Sequence, residues 1–117
     1  MQENHPTFAE GGLNQKLFEE IRESILNANP SWESYMAKYY VGFRSGKRKL
    51  HAVLEGRTSN GGWIAVGLAK SVDELIDPEA MCQDKRAQGG FGPGMPTYVA
   101  LRSADDIPAV LDLIKQC

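Results

Sequence analysis

The fold is decided by residues 49–69, which read KLHAVLEGRTSNGGWIAVGLA. Apolar side chains alternate with others through the first nine residues, and the last seven are almost wholly apolar, as is typical of β-strands. The linker between these runs contains Asn60-Gly61, a pair that tolerates positive φ and favours a tight hairpin turn. The sequence therefore predicts two antiparallel strands, at residues 49–57 and 63–69.

Further elements are predicted on both sides of this hairpin. A strand at residues 38–44 precedes it, and a strand at 97–102 follows the glycine-rich loop Gly89–Gly94. Apolar residues at helical spacing predict helices at 13–27 and 103–117, whereas residues 31–35 read as a short helical turn or a loop. Residues 1–12 are expected to be a flexible lead-in to a single domain at 13–117.

The predicted fold class is α+β, with a four-stranded, mainly antiparallel sheet and the N- and C-terminal helices packed on one face. Successive side chains of a strand point to opposite faces, so one set should lie beneath the helices. That set is almost wholly apolar and is expected to form the core: Tyr39, Val41, Phe43, Leu50, Ala52, Leu54, Ile64, Val66, Leu68, Val99 and Leu101.

The opposite side of the sheet, which we call the outer face, carries aromatic and basic side chains between small residues. Aromatic rings can stack on planar groups while cations meet phosphate or carboxylate oxygens. The candidate ligand-binding residues are Tyr40, Arg44, Lys49, His51, Arg57, Trp63, Tyr98 and Arg102, with Phe91 from the glycine loop.

The charge distribution fits a solvated hairpin tip better than it fits an anionic partner, although both stay open. The chain has a net charge of −2, yet residues 38–57 carry six basic side chains against one acid. Such a segment could approach nucleic acid, or it could keep a strand edge solvated. The outer face itself has three possible uses: it binds a ligand, it is covered by the Gly89–Gly94 loop, or it pairs with a second copy.

Composition points to a soluble cytoplasmic protein without a membrane segment. The hydrophobic share is 42%, and the longest apolar run falls far short of a membrane span. No cationic segment followed by an apolar stretch suggests a secretory signal. Cys82 and Cys117 are expected to be free thiols in a reducing compartment.

The residues indicate neither a metal, a cofactor nor a catalytic group. His5 and His51 have no metal ligand at suitable spacing. The loop Gly89–Gly94 lacks the lysine and the following helix of a phosphate-binding P-loop. Potential nucleophiles, Ser45, Ser59 and Cys82, have no base that the sequence reveals. The domain is therefore predicted to be non-catalytic.

A family resemblance rests on the C-terminal half. Its motifs are Asp77-Pro78, the loop from Gly89 to Gly94, the run YVALRS at 98–103 and the run DIPAVLDLI at 106–114. Together they resemble the DUF5655 domain family over roughly the whole of residues 13–117. The resemblance implies a bacterial, cytoplasmic module with no settled activity, whose relatives are sometimes fused to nuclease-like domains.

The resulting hypothesis is a small binding or accessory domain for an anionic partner such as nucleic acid or a nucleotide-like ligand. Two alternatives stay open. One is a homodimeric protein-interaction module that uses the outer face, and the other is a pocket for a small apolar or aromatic molecule under the Gly89–Gly94 loop.

Overall fold

Six strands form one antiparallel sheet in the computed structural model, which describes residues 13–37, 40–46, 49–57, 62–89 and 94–117. The strands are β1 (Glu33–Met36), β2 (Val41–Ser45), β3 (Lys49–Arg57), β4 (Trp63–Leu68), β5 (Gln83–Asp84) and β6 (Thr97–Leu101). Their order across the sheet is β1-β2-β3-β4-β6-β5. The helices are α1 (Leu13–Ala28) and α2 (Ile107–Lys115), and short 3-10 turns lie at Val72–Glu74, Arg86–Gln88 and Ala104–Asp106.

The α+β class and the antiparallel sheet are confirmed, but the prediction of four strands is wrong. The two additional strands are the edges of the sheet, β1 and β5. β1 has four residues and β5 has two, which is too short for alternation to be read. Pairing with longer neighbours defines both of them, and the Lys85 N–H continues the β5 ladder to the Pro96 carbonyl at 2.8 Å.

The first helix has close to its predicted bounds because its apolar residues form one stripe. Leu17, Phe18, Ile21 and Ile25 of α1 are buried, each with at most 3% of its surface exposed. The helix ends before Asn29, whose side-chain amide donates to the Ile25 carbonyl at 3.0 Å. The Asn29 backbone N–H donates to the same carbonyl at 3.0 Å, so Asn29 closes the end of the helix with two hydrogen bonds.

The closing helix is shorter than predicted, since residues 104–106 form a 3-10 turn before α2 begins at Ile107. Pro108 then lies in the first turn of α2, where its missing N–H costs no hydrogen bond. Val110, Leu113 and Ile114 of this helix are buried.

Both helices pack on the same face of the sheet, as predicted. The core contains the α1 stripe, the buried α2 residues and, from the sheet, Val41, Phe43, Ala52, Leu54, Ile64, Val66, Leu68, Val99 and Leu101. Burial of each large apolar side chain contributes about 1.5–3 kcal/mol, so this face accounts for most of the stability of the fold.

The connection between β4 and β6 is held by polar contacts. The two carboxylate oxygens of Asp77 accept the backbone N–H groups of Met81 and Cys82, at 3.0 and 2.9 Å. The amide of Gln116 bonds both backbone groups of Ile76, at 2.8 and 2.9 Å, and so ties the connection to the end of α2. Ala80 has a φ of 52°, in the left-handed region that favours glycine.

Candidate functional site

The row Arg57–Trp63–Arg102 crosses three strands on the outer face. Arg57 pairs with Trp63 between β3 and β4, and the register of β4 with β6 brings Arg102 to the other side of Trp63. The Arg102 guanidinium carbon lies 4.6 Å from the centre of the Trp63 ring. A guanidinium over an indole is a favourable cation–π contact, and the outward side of the guanidinium can itself stack on a planar group.

A second cation–aromatic pair lies at the other end of β6. The Nζ atom of Lys85 is 5.1 Å from the centre of the Tyr98 ring. Burial raises the pKa of Tyr98, while the nearby charges of Arg102 and Arg57 act in the opposite direction. The charges of both arginines therefore act on Tyr98. The Arg102–Trp63 and Lys85–Tyr98 pairs thus belong to one cationic surface.

One acid interrupts this surface. A carboxylate oxygen of Glu55 contacts an Nη atom of Arg57 at 2.7 Å, and the Glu55 side chain is 18% exposed. Part of the Arg57 charge is thus neutralised within the domain. Arg102 is more exposed than Arg57 and stands farther from the acid, on the opposite side of Trp63.

Tyrosines and an arginine form a third group where β1 meets β2. The Tyr35 ring lies over Gly42, where an added Cβ would stand 2.5 Å from ring atoms. Tyr40 meets Tyr35 edge-on at 6.2 Å, and the Arg44 guanidinium carbon lies 4.4 Å from the centre of the Tyr35 ring. Burial, followed by a hydrogen bond to Tyr40, raises the pKa of Tyr35 to about 12.

The sequence alone does not identify Tyr35 and Lys85 as candidates. Both belong to the edges of the sheet, and only strand register assigns them to the outer face. The alternation Glu33-Ser34-Tyr35-Met36 was too short to be recognised as a strand. Gly42 was a usable signal, because a strand glycine often marks the close approach of another group.

The floor of the outer face is closed. Val53 and Ala65 have no exposed surface, and Gly42 and Gly67 are buried as well. A ligand on this face would therefore touch the larger side chains that stand above the floor. Trp63, Tyr98 and Arg57 are partly exposed and Arg102 is exposed.

The prediction that His51 lies on the outer face is wrong, because β3 contains a bulge. Phe43 pairs with Ala52 and Arg44 with Leu50, so the ladder skips His51. An extra residue in a strand reverses the faces occupied by the side chains beyond it, which here are those of residues 49 and 50. His51 and Lys49 therefore turn towards the helices, whereas Leu50, predicted for the core, lies on the Arg44 side and is absent from the core cluster.

His51 joins β3 to the end of α2 and to the segment after α1. Its Nδ1 lies 3.1 Å from the Cys117 carbonyl oxygen, and its Nε2 lies 2.8 Å from Ser45 Oγ. Since a carbonyl can only accept, Nδ1–H donates and the neutral Nε2 accepts from the hydroxyl. Trp32 stacks on the ring at 4.1 Å with an interplanar angle of 7°.

Ser45 thus has the base that the sequence did not reveal, but the contact is structural. In many enzymes the same three kinds of group, a hydroxyl, an imidazole and a third polar group, activate a catalytic nucleophile. Here, however, His51 is only 4% exposed and stacks against Trp32. Burial lowers the pKa of His51, the Cys117 hydrogen bond opposes this, and the Lys49 charge lowers the pKa further. We therefore assign Ser45 and His51 a structural role.

The described residues supply neither a metal site nor an activated Cys82 thiol. Within the part of the chain that the structure describes, no cluster of three or more His, Cys, Asp or Glu side chains could hold a metal ion. Burial, followed by contact with Asp77, raises the pKa of Cys82 to about 12, so this thiol is a poor nucleophile at neutral pH. None of the described helices has the length and apolar character needed to cross a membrane.

Ligand binding by Phe91 and a pocket under the Gly89–Gly94 loop stay predictions, since residues 90–93 lie outside the described residues. The proposed lead-in at 1–12 and Tyr39 are also outside them. Six of the nine candidates, Tyr40, Arg44, Arg57, Trp63, Tyr98 and Arg102, keep their assigned face. Lys49 and His51 do not.

Comparison with known proteins supports the family resemblance. A family model described as "Domain of unknown function (DUF5655)" matches residues 7–117, which is essentially the whole chain. Neither the curated proteins nor the solved structures give a significant match.

Proposed function

We propose that this chain, which belongs to the DUF5655 family, binds single-stranded nucleic acid on the outer face of its sheet. The observation that carries the proposal is the Trp63–Arg102 stack beside Arg57, on a face opposite both helices. Stacking platforms with adjacent cations bind unpaired bases and their phosphates at the same time.

Charge on the outer face supports an anionic ligand. Among the described residues of this face, the cations are Arg44, Arg57, Lys85 and Arg102, and the acids are Glu33 and Glu55. Four positive charges less two negative charges leave +2 on this face of a chain with a net charge of −2. Phosphates near this surface would be attracted even though the molecule as a whole is slightly acidic.

A single strand fits the shape better than a duplex does. The side chains that stand above the closed floor include two cation–aromatic pairs at opposite ends of β6. Unpaired bases can splay onto such rings, whereas stacked bases inside a duplex cannot reach them. A strand could thus run across β4 and β6 with its bases towards Trp63 and Tyr98.

We expect the domain to act in the cytoplasm of a bacterium. Its two cysteines are unpaired and partly buried, which suits a reducing compartment. No cofactor is needed for the proposed binding.

The test is fluorescence anisotropy with labelled oligo(dT) of about 12 nucleotides, a length within the range of known single-strand sites. Three phosphate contacts, from Arg57, Lys85 and Arg102, would give a slope of about −2 in log affinity against log salt. Arg102→Gln should make this slope about 0.7 less steep, because one released counterion is lost. Trp63→Ala should weaken binding about 5- to 150-fold, the effect of about 1–3 kcal/mol per stacked base.

The matched control is Lys16→Ala, which removes an exposed cation from α1 on the opposite side of the sheet. It should leave both affinity and salt slope unchanged, and circular dichroism should show that every variant is folded. Salt-independent binding, or equal losses in Lys16→Ala and Arg102→Gln, would rule the outer face out. A dimer that Trp63→Lys dissociates, without any oligonucleotide binding, would instead favour the homodimeric module.

A further inference from the structure

The two edges of the sheet are protected to very different degrees. An edge strand exposes unpaired backbone groups, and proteins shield them with short strands, charges or turns. β5 has two residues, and its Asp84 forms an exposed ion pair with Arg86 at 2.6 Å. Just before β5, the Asp77 carboxylate accepts hydrogen bonds from the N–H groups of Met81 and Cys82, so the chain leaves the ladder at these residues.

Among the described residues, β1 is less protected than β5. It is the terminal strand on its side of the sheet, and its sequence, Glu33-Ser34-Tyr35-Met36, contains neither proline nor lysine. Its register with β2 is regular over all four residues. Met36 is 38% exposed and is one of two large apolar side chains described as exposed.

The backbone groups that β1 leaves unpaired can be identified. The Ala37 N–H donates to the Tyr40 carbonyl at 2.9 Å, so these residues form a hydrogen-bonded pair. Hydrogen-bonded and non-hydrogen-bonded pairs alternate along an antiparallel ladder, so Tyr35 bonds to Gly42. The N–H and C=O groups of Ser34 and Met36 therefore point away from β2.

Side chains leave this edge accessible. The Tyr35 ring leans inward over Gly42 rather than outward across the edge, which the absence of a Cβ at Gly42 permits. Ser34 is drawn towards α1 by a hydrogen bond from Arg22 at 3.1 Å. The acid Glu33 is paired with Arg44 at 3.0 Å.

We propose that β1 pairs antiparallel with β1 of a second copy of this chain, joining two six-stranded sheets into one. With the two-fold axis at Tyr35, Ser34 of each copy lies opposite Met36 of the other, so all of the outward backbone groups are bonded. Glu33 falls opposite uncharged Ala37, so the symmetric contact brings no like charges together. This self-complementarity favours a second copy over an unrelated peptide, which would need side-chain pockets along the edge.

The pair of variants Met36→Pro and Met36→Ala tests the proposal. Proline removes the outward N–H of Met36 and leaves the bonds to β2 intact, and proline is tolerated at a strand edge of this kind. Alanine keeps the N–H and removes only the exposed side chain. Sedimentation velocity from about 10 μM to about 1 mM should show the mass of the natural chain rising from 12.9 kDa towards twice that value.

Met36→Pro should stay monomeric over the whole range, and Met36→Ala should dimerise at least about tenfold more tightly than Met36→Pro. Ile76→Ala, at the other exposed apolar side chain, should dimerise like the natural chain. A natural chain that is monomeric at about 1 mM, or a Met36→Pro chain that dimerises as well as Met36→Ala, would overturn the proposal.

Hydrogen exchange on the natural chain decides the matter if Met36→Pro does not fold. The amides of Ser34 and Met36 should exchange more slowly at high than at low protein concentration, because pairing covers them. Concentration-independent exchange at both amides would refute edge pairing. These readouts need no nucleic acid, so they stand or fall separately from the proposed binding.

Discussion

His51 is held in its neutral form by what surrounds it. Its two ring nitrogens already have their hydrogen-bond partners, Ser45 and the Cys117 carbonyl, and Trp32 stacks on the ring. Protonation would put a second donor where the Ser45 hydroxyl now donates, and Lys49 adds an unfavourable charge nearby. The lowered pKa of His51 is therefore linked to stability.

The expected consequence is a loss of stability in mild acid. With the folded-state pKa of His51 below its usual value of about 6.5, the unfolded chain takes up the proton first. The free energy of unfolding should be fully maintained above about pH 6.5 and should fall as the pH drops from there through the folded-state pKa. Urea denaturation between about pH 5.5 and 7.5 measures this.

The chain's other histidine supplies the control for this titration. His5→Gln should keep the pH dependence, whereas His51→Gln should flatten it at the cost of a lower stability throughout. A His51→Gln chain whose stability still falls between pH 6.5 and 5.5 in parallel with that of the natural chain would contradict the assignment.

Among the elements, the connection between β4 and β6 contains the one described non-glycine residue with positive φ. Ala80 adopts a φ of 52° within the loop organised by Asp77. A left-handed conformation costs an L-residue about 1–2 kcal/mol. Burial raises the pKa of Asp77, but the N–H groups of Cys82 and Met81 outweigh it and leave the pKa below its usual value. The carboxylate is thus ionised and holds the loop in place.

Ala80→Gly should therefore stabilise the domain by about 0.5–1 kcal/mol. The relief of the left-handed strain exceeds the greater backbone freedom that glycine gives the unfolded chain, about 0.4–1 kcal/mol. Ala87→Gly is the comparison, because Ala87 is also exposed but lies in a 3-10 turn without positive φ. Thermal unfolding should show Ala80→Gly melting above and Ala87→Gly below the natural chain, and the reverse order would count against the strain.

Elements with a full apolar period could be predicted from sequence, and elements defined only by their neighbours could not. α1, β3 and β4 carry repeated apolar positions, so their bounds differ by at most one residue from expectation. β5 exists only because β6 lies beside it. The bulge at His51 is likewise a property of pairing with Phe43 and Arg44, and nothing in the local alternation of β3 reveals it.

At the scale of the whole molecule, the division of the sheet into a helix side and an outer side could be predicted. The proposed binding surface depends on that division and on the exact register, so the sequence places Trp63, Arg57 and Arg102 on the outer face but does not place Tyr35 and Lys85 there. Val66 lies at the centre of the helix side with no exposed surface.

Val66→Asp should consequently unfold the domain. Burying an unpaired carboxylate beneath two helices costs several kcal/mol. The free energy of unfolding of a typical domain is only about 5–15 kcal/mol, so this cost is a large part of it. Gln83→Asp, which adds the same charge on exposed β5, should change the melting temperature little. Circular dichroism that shows a natively folded Val66→Asp chain would disprove the assignment of this face.

The order of the strands also bears on the route by which the chain folds. β1 to β4 are neighbours both along the chain and across the sheet, so only short loops must close for them to pair. The contact of His51 with Cys117 spans 66 residues. We infer that the strands β1 to β4 pair early. The Cys117 carbonyl then docks late on His51, after the hairpin of β3 and β4 has formed. Changes at this contact would then accelerate unfolding and leave the folding rate nearly untouched.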